Sequence, residues 1–272
     1  MVDTIVDFTW RRVTRELSCY NLPMKNFICL FILILCVPAF AANFVMEKDS
    51  LCFKNADPEL RNYGPMGVLG SKKGVCQGMS GIVSAFHEHA KFSPNKAKMT
   101  YNESMVALAE LRRYHSGGCK LSRKVEITGY ANLNEFCRAQ KSLFMANAID
   151  YNADIAVREI SWSLDQFLIL QDSAITSYLG RLNLHNSVES IRDRWGAGRL
   201  PLMLYYSHVV TVVSITNYYK AGVRTKITFG LYDSNYSTST EYTVHYGSDG
   251  MPKSGQKMLW DVTPSRLTTI CW

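Results

Sequence analysis

The sequence predicts an α+β protein in which a helical half is followed by an antiparallel sheet half. Two observations carry that expectation. Between about residues 77 and 197, apolar residues recur at three- and four-residue steps and the runs begin at capping signals. Beyond Leu200 the pattern changes to runs of Val, Ile, Thr and Tyr separated by turn residues. A third observation locates the chemistry. The stretch "KGVCQGMSG" places Cys76 between Gly74 and Gly78 just before the first helical pattern.

Read in order, the chain begins with a segment of different character. "MKNFICLFILILCVPAFAA", residues 24 to 42, has a basic start at Lys25, an apolar run from Phe27 to Val37, and a small-x-small site at Ala39-Phe40-Ala41. That is the pattern of a secretory signal peptide, and the apolar run is shorter than the ~20 residues of a membrane-spanning helix. Residues 1 to 41 are expected to be a leader and signal, with translation expected to begin at Met24 in preference to Met1 and an uncleaved membrane anchor as the alternative. The protein is expected to be exported, periplasmic or secreted, with no stable membrane insertion after cleavage. Leu35 before Cys36 does not fit a lipoprotein cleavage site, which wants a small residue there.

Residues 42 to 73, "NADPELRNYGPMGVLGSKK" among them, read as an irregular leading segment with little core. Residues 74 to 272 form the expected main domain. Its first helix starts near Cys76 and carries Met79, Ile82, Val83, Phe86 and Ala90 on one face. "TYNESMVALAELRRYHSGG" opens with Thr100 and Glu103 at capping-box spacing and stops at Gly117-Gly118. "NLNEFCRAQKSLFMANAIDY" and "ADIAVREISWSLDQFLILQDSAITSYL" also read as helices. "HNSVESIRDRWGAG" begins with a second candidate box at Asn186 and Glu189. Strands are expected in "LPLMLYYSHVVTVVSITNYY", "RTKITFGLYDSNYS", "EYTVHYGSDG" and "QKMLWDV", with a hairpin turn between Asn217 and Arg224 and another at "SDG".

Cysteine usage bears on Cys76. Removing residues 1 to 41 takes away Cys19, Cys29 and Cys36 and leaves Cys52, Cys76, Cys119, Cys137 and Cys271. An odd number in an oxidising compartment leaves one thiol unpaired. Cys76, with its distinctive flanks, is the expected free thiol. The other four allow three connectivities, of which Cys119–Cys137 with Cys52–Cys271 is the one expected here.

A thiol at the first turn of a helix is favoured as thiolate by the helix dipole and unpaired amides, and Gly74 and Gly78 would keep the approach open. Full activation needs an imidazole, and the imidazole needs a group to hold its tautomer. His87 and His89 lie well past the start of the Cys76 helix, His115 and His185 are expected at helix ends, and His245 sits in a Tyr-rich strand as a reserve. His208 enters the apolar strand "SHVVTVV", where a polar ring needs a partner. Asp233 and Asn235 follow the next strand in "FGLYDSN", on the same side as Leu231, and either could orient the ring.

The order of Cys76, His208 and then Asp233 or Asn235 resembles that of papain-like thiol peptidases. The spacing of 132 residues from Cys76 to His208 falls within the roughly 130 to 150 of that superfamily. "GVCQGMS", "SHVV" and "YDSNYS" are most similar to YopT-type bacterial effector peptidases, over three short blocks between residues 74 and 236. The resemblance implies a helical lobe carrying the Cys helix packed on an antiparallel sheet lobe. It implies Cys76 as nucleophile, His208 as general base and then acid, and Asp233 as orienter, with Asn235 as the alternative. Two departures stand out. Ser234 occupies the place of a usual proline, and "LGSKKGVC" has no amide side chain before the cysteine, so Ser71 is the candidate oxyanion donor beside the Cys76 amide.

The expected activity is hydrolysis of a protein or peptide substrate without a cofactor. The same triad would also serve a deamidase or an acyltransferase, and an inactive fold used for binding is the reading from another class. No ligand spacing suggests a metal enzyme, and no phosphate-cradling loop or Rossmann fingerprint suggests a nucleotide enzyme. The net charge is +7, and 26 bases against 20 acids remain beyond residue 41. That excess favours loose contact with an anionic surface, while the absence of an aromatic-interleaved basic stripe argues against nucleic acid.

Overall fold

The computed structural model describes residues 44–117, 124–159, 177–205, 208–236, 239–257 and 259–263. The expected leader and signal, Cys119, Cys271 and most of the stretch 153–179 lie outside the described residues. The elements are α1 (Met46–Asp49), a 3-10 turn (Pro58–Tyr63), α2 (Gly64–Lys73), α3 (Cys76–His89), β1 (Ala90–Ser93), α4 (Tyr101–Gly117), β2 (Val125–Thr128), α5 (Leu133–Ala139), α6 (Lys141–Glu159) and α7 (Tyr178–Gly196). Then come β3 (Leu202–Tyr205), β4 (His208–Lys220), β5 (Val223–Tyr232), β6 (Thr240–His245) and β7 (Leu259–Asp261). This is an α+β arrangement.

Local chemistry explains most of the boundaries. Thr100 and Glu103 cap α4 reciprocally: the Thr100 amide donates to the Glu103 carboxylate at 2.7 Å, and the Glu103 amide donates to Thr100 Oγ1 at 3.3 Å. Asn132 caps α5 by accepting from the Glu135 amide at 2.9 Å. The β4–β5 turn consists of Ala221 and Gly222, both with positive φ (49° and 76°). That left-handed pair matches the twist of a two-residue hairpin. The "SDG" turn also forms, with the Gly247 amide donating to the Met251 carbonyl at 2.8 Å.

Three expectations need correction. The leading segment is not irregular throughout, because α2 and the 3-10 turn lie in it and Leu51, Phe53 and Leu60 enter the core. The candidate box at Asn186 does not start a helix. Helix α7 begins eight residues earlier, with the Ser177 hydroxyl accepting from the Gly180 amide at 3.1 Å. Finally, the helical half contains a two-stranded parallel sheet, β1 with β2, paired Ala90 to Val125 through Ser93 to Thr128.

The main sheet has five strands in the order β6-β5-β4-β3-β7, all antiparallel. Successive β4 residues point to opposite faces. Val210 and Val212 pack with Leu184, Val188 and Ile191 of α7, while Thr211 Oγ1 reaches the Ser80 carbonyl of α3 at 3.3 Å. The sheet therefore lies between α7 and α3. Helix α3 is central. Its expected apolar face, Met79 to Phe86, is buried against α4, α5 and α6, and its small polar face is buried on the sheet. There Ser80 donates to the Val209 carbonyl at 3.1 Å and Ser84 to the Leu200 carbonyl at 2.7 Å.

A buried polar cluster braces this packing. Glu88 (side chain 2% exposed) accepts from Arg199 Nε at 2.9 and 3.0 Å. His115, expected to satisfy carbonyls at a helix end, is instead a core residue that contacts Ser84 Oγ at 2.9 Å and the Tyr151 hydroxyl. His185 lies inside α7, with its ring against Tyr246. Among the described residues no helix is long and apolar enough to cross a membrane.

Candidate active site

Helix α3 opens at Cys76 with Val75 as N-cap, and no side chain caps it. Of the first-turn amides, that of Gly78 is taken by Asn152, and those of Cys76 and Gln77 face a charged group at the helix start. The amides of Gln77 and of Val209, from β4, hydrogen-bond the Cys76 sulfur. Gly74 and Gly78 serve packing rather than access. Gly74 has φ 88°, and a Cβ there would run into the Asn55 side chain. A Cβ on Gly78 would strike the Ala148 carbonyl of α6. The Gly78 amide also donates to Asn152 Oδ1 at 3.3 Å, which anchors the helix start to α6.

His208 is the first residue of β4, and its ring and the Cys76 thiol are hydrogen-bonded to each other. The other side of the ring faces the loop after β5. His208 Nε2 donates to Asp233 Oδ1 at 2.7 Å, and the same oxygen accepts from the Asn235 amide at 2.8 Å. With Nε2 engaged by Asp233, Nδ1 is the nitrogen left to face the thiol. The Tyr205 ring packs 6.3 Å from the His208 ring, centroid to centroid.

The electrostatics follow from these contacts. Burial alone would raise the Cys76 pKa, but the His208 hydrogen bond, the Val209 amide, the His208 charge and the Gln77 amide together hold it below the ordinary thiol value. Burial alone would lower the His208 pKa. The hydrogen bonds to Asp233 and Cys76, with the charges on both, outweigh it and push His208 up to about 9. Burial likewise opposes the charge on Asp233, which is only 2% exposed, yet the His208 hydrogen bond and the Asn235 amide keep its pKa low. Opposite shifts on neighbouring groups are the signature of a stabilised thiolate–imidazolium pair.

Of the residues singled out in the sequence, Cys76, His208, Asp233 and Asn235 thus come together. Asp233 is the acceptor for the ring. Asn235 presents its amide nitrogen, Nδ2, at 3.1 Å from His208 Nε2 while its oxygen accepts from Asn55 Nδ2 at 3.1 Å. An amide nitrogen cannot accept the ring proton. The Ser71 side chain lies outside the described residues. His245 is exposed at the end of β6, and His87 and His89 sit at the far end of α3 from Cys76.

Cys76 is free, as expected. The expected disulfides are not the ones formed. Cys52 pairs with Cys137, Cα to Cα 5.7 Å, because the leading segment lies along α5 and brings position 52 beside it. This rules out both Cys119–Cys137 and Cys52–Cys271.

Two polar side chains near the site were given no role from the sequence. Asn55 bonds both the residue before Cys76 and the Asp233 loop. Gln77 carries a buried amide nitrogen with no hydrogen-bond partner among the described residues. The only sequence signal for Gln77 was its place next to Cys76, and Asn55 had none beyond a turn-rich context. No protein-family model, curated protein or solved structure matches this chain. The chemistry of the site has to be read from its own geometry.

Proposed function

We propose that this protein is an exported, papain-like cysteine peptidase of the kind the YopT-type resemblance suggests. The observation that carries the reading is the series Cys76–His208–Asp233, hydrogen-bonded from a helix start to a sheet and on to the neighbouring strand's end. A nucleophile helix packed against an antiparallel sheet that bears base and acid supports the papain-like arrangement. The lowered thiol pKa weighs against an inactive binding fold, in which nothing would hold the thiolate.

The Cys76 thiolate attacks the carbonyl carbon of the scissile amide, and a tetrahedral oxyanion forms. The His208 imidazolium gives its proton to the leaving nitrogen, the C–N bond breaks, and a thioester to Cys76 remains. His208, now neutral, takes a proton from water, whose oxygen attacks the thioester. The carboxylic acid leaves and the proton returns to the pair. Asp233 holds the ring in the tautomer that this sequence needs. The Cys76 amide is one oxyanion donor. Gln77, the residue after the nucleophile, has a buried Nε2 with no hydrogen-bond partner among the described residues and is assigned as the second donor.

A peptidyl thiol-reactive inhibitor should label the wild-type chain, and Cys76→Ala should abolish that labelling. Labelling that survives the substitution refutes the assignment.

A further inference from the structure

We infer that Asn55 is a positioning residue that fixes the start of the Cys76 helix against the loop carrying Asp233, a reading that rests on the triad proposed above. Asn55 lies 20 residues before Val75 and 180 before Asn235 in sequence, and it bonds both. Its Oδ1 accepts from the Val75 amide, which belongs to the residue immediately before the nucleophile. Its Nδ2 donates to Asn235 Oδ1 at 3.1 Å, and its own backbone amide donates to the Ser234 carbonyl at 2.9 Å. Gly74, with φ 88° and no Cβ, makes room for the side chain.

The hydrogen-bond directions are fixed along this chain of amides. A backbone N–H can only donate, so the Asn55 atom facing Val75 is the oxygen and the atom facing Asn235 is the nitrogen. Asn235 must then meet Asn55 with its oxygen, which turns its nitrogen toward His208. The Asn235 backbone amide meanwhile donates to Asp233 Oδ1, the oxygen that also receives His208 Nε2. One side chain thereby ties the nucleophile's helix to the two residues that flank the far side of the imidazole. Three residues upstream, the Cys52–Cys137 disulfide anchors the same segment to α5. The thiol–imidazole distance is set from outside the triad, and thiolate stabilisation falls steeply with that distance.

The test uses iodoacetamide on the full chain, with alkylation of the Cys76 peptide followed by mass spectrometry across pH. Asn55→Ala is expected to raise the Cys76 midpoint and slow alkylation at neutral pH by about tenfold, the equivalent of one pKa unit. Asn235→Ala removes the same tie from its other end and serves if Asn55→Ala does not fold. The two changes combined are expected to fall short of additivity by about threefold or more. A residue that only stiffened its loop would alter stability and leave the midpoint where it was. Unshifted midpoints in the variants, or strictly additive effects, overturn the positioning role while the triad stands. An ordinary thiol midpoint in the wild type overturns both.

Discussion

Replacing Asp233 with alanine removes the acceptor that His208 Nε2 has among the described residues, without touching the thiol or the imidazole. His208 is lifted from 6.5 to about 9 although burial pulls the other way. That lift corresponds to about 3 kcal/mol of preference for the imidazolium. Asp233 and Cys76 supply it together, and assigning roughly half to Asp233 gives about one pKa unit, or tenfold, in the stability of the ion pair. The sign is definite. A raised histidine pKa keeps the ring protonated up to about pH 9, and the cation in turn lowers the thiol below its usual ~8.5. Without Asp233 the imidazolium should lose its proton at lower pH, and the Cys76 midpoint should rise by about one unit. Below the Cys76 midpoint alkylation should slow roughly tenfold, and the alkaline limb of peptide hydrolysis should move down from about 9. An Asp233→Ala profile that superimposes on the wild type would refute this reasoning.

Other expectations follow from the same contacts. Gln77→Ala should lower kcat by about 100-fold or more while alkylation of Cys76 hardly changes, because an oxyanion donor acts on the transition state and not on the thiol; steady-state kinetics beside alkylation separates the two. Removing the Cys52–Cys137 disulfide, which closes a separation of 85 residues, should cost about 4 to 5 kcal/mol in the chain-entropy account, measurable by urea unfolding. Glu88→Ala leaves the Arg199 guanidinium buried without its carboxylate and should destabilise by about 3 to 5 kcal/mol, as a shift of the denaturation midpoint. Mass spectrometry of a treated protein substrate distinguishes backbone cleavage from side-chain deamidation by the triad.

The parts of the fold that were legible in the sequence are those decided locally. Thr100 and Glu103 announce α4 because a capping box is made within one turn. The β4–β5 hairpin is readable because β-branched runs flank a short stretch ending in Gly222. What stayed hidden is decided by distant partners. Strands β1 and β2 have four residues each and take their pairing from each other across α4, so no periodicity marks them. Helix α7 starts in "YLGRLNLH", where exposed Tyr178 and Leu179 and a glycine blur the amphipathic signal that Asn186 imitates. Proline and glycine in residues 58 to 70 suggested a loop, although Pro65 at the first turn suits a helix start.

The site divides in the same way. Cys76, His208 and Asp233 were readable as a group because the His208 ring enters an apolar strand where it needs a partner, and a thiol at a helix start and a carboxylate at the next strand's end are the chemical partners such a ring takes. The choice between Asp233 and Asn235 was not readable, since it depends on which amide atom Asn55 turns toward His208. Disulfide connectivity was equally beyond reach, because four cysteines carry no record of which helices will be neighbours.

Proton transfer from Cys76 to His208 is tested most directly by NMR titration of the His208 ring in the wild type and in Cys76→Ala. The account predicts an imidazolium that persists to about pH 9 and a midpoint that falls once the sulfur is removed. A ring that titrates near its ordinary value of ~6.5 in both proteins would contradict it.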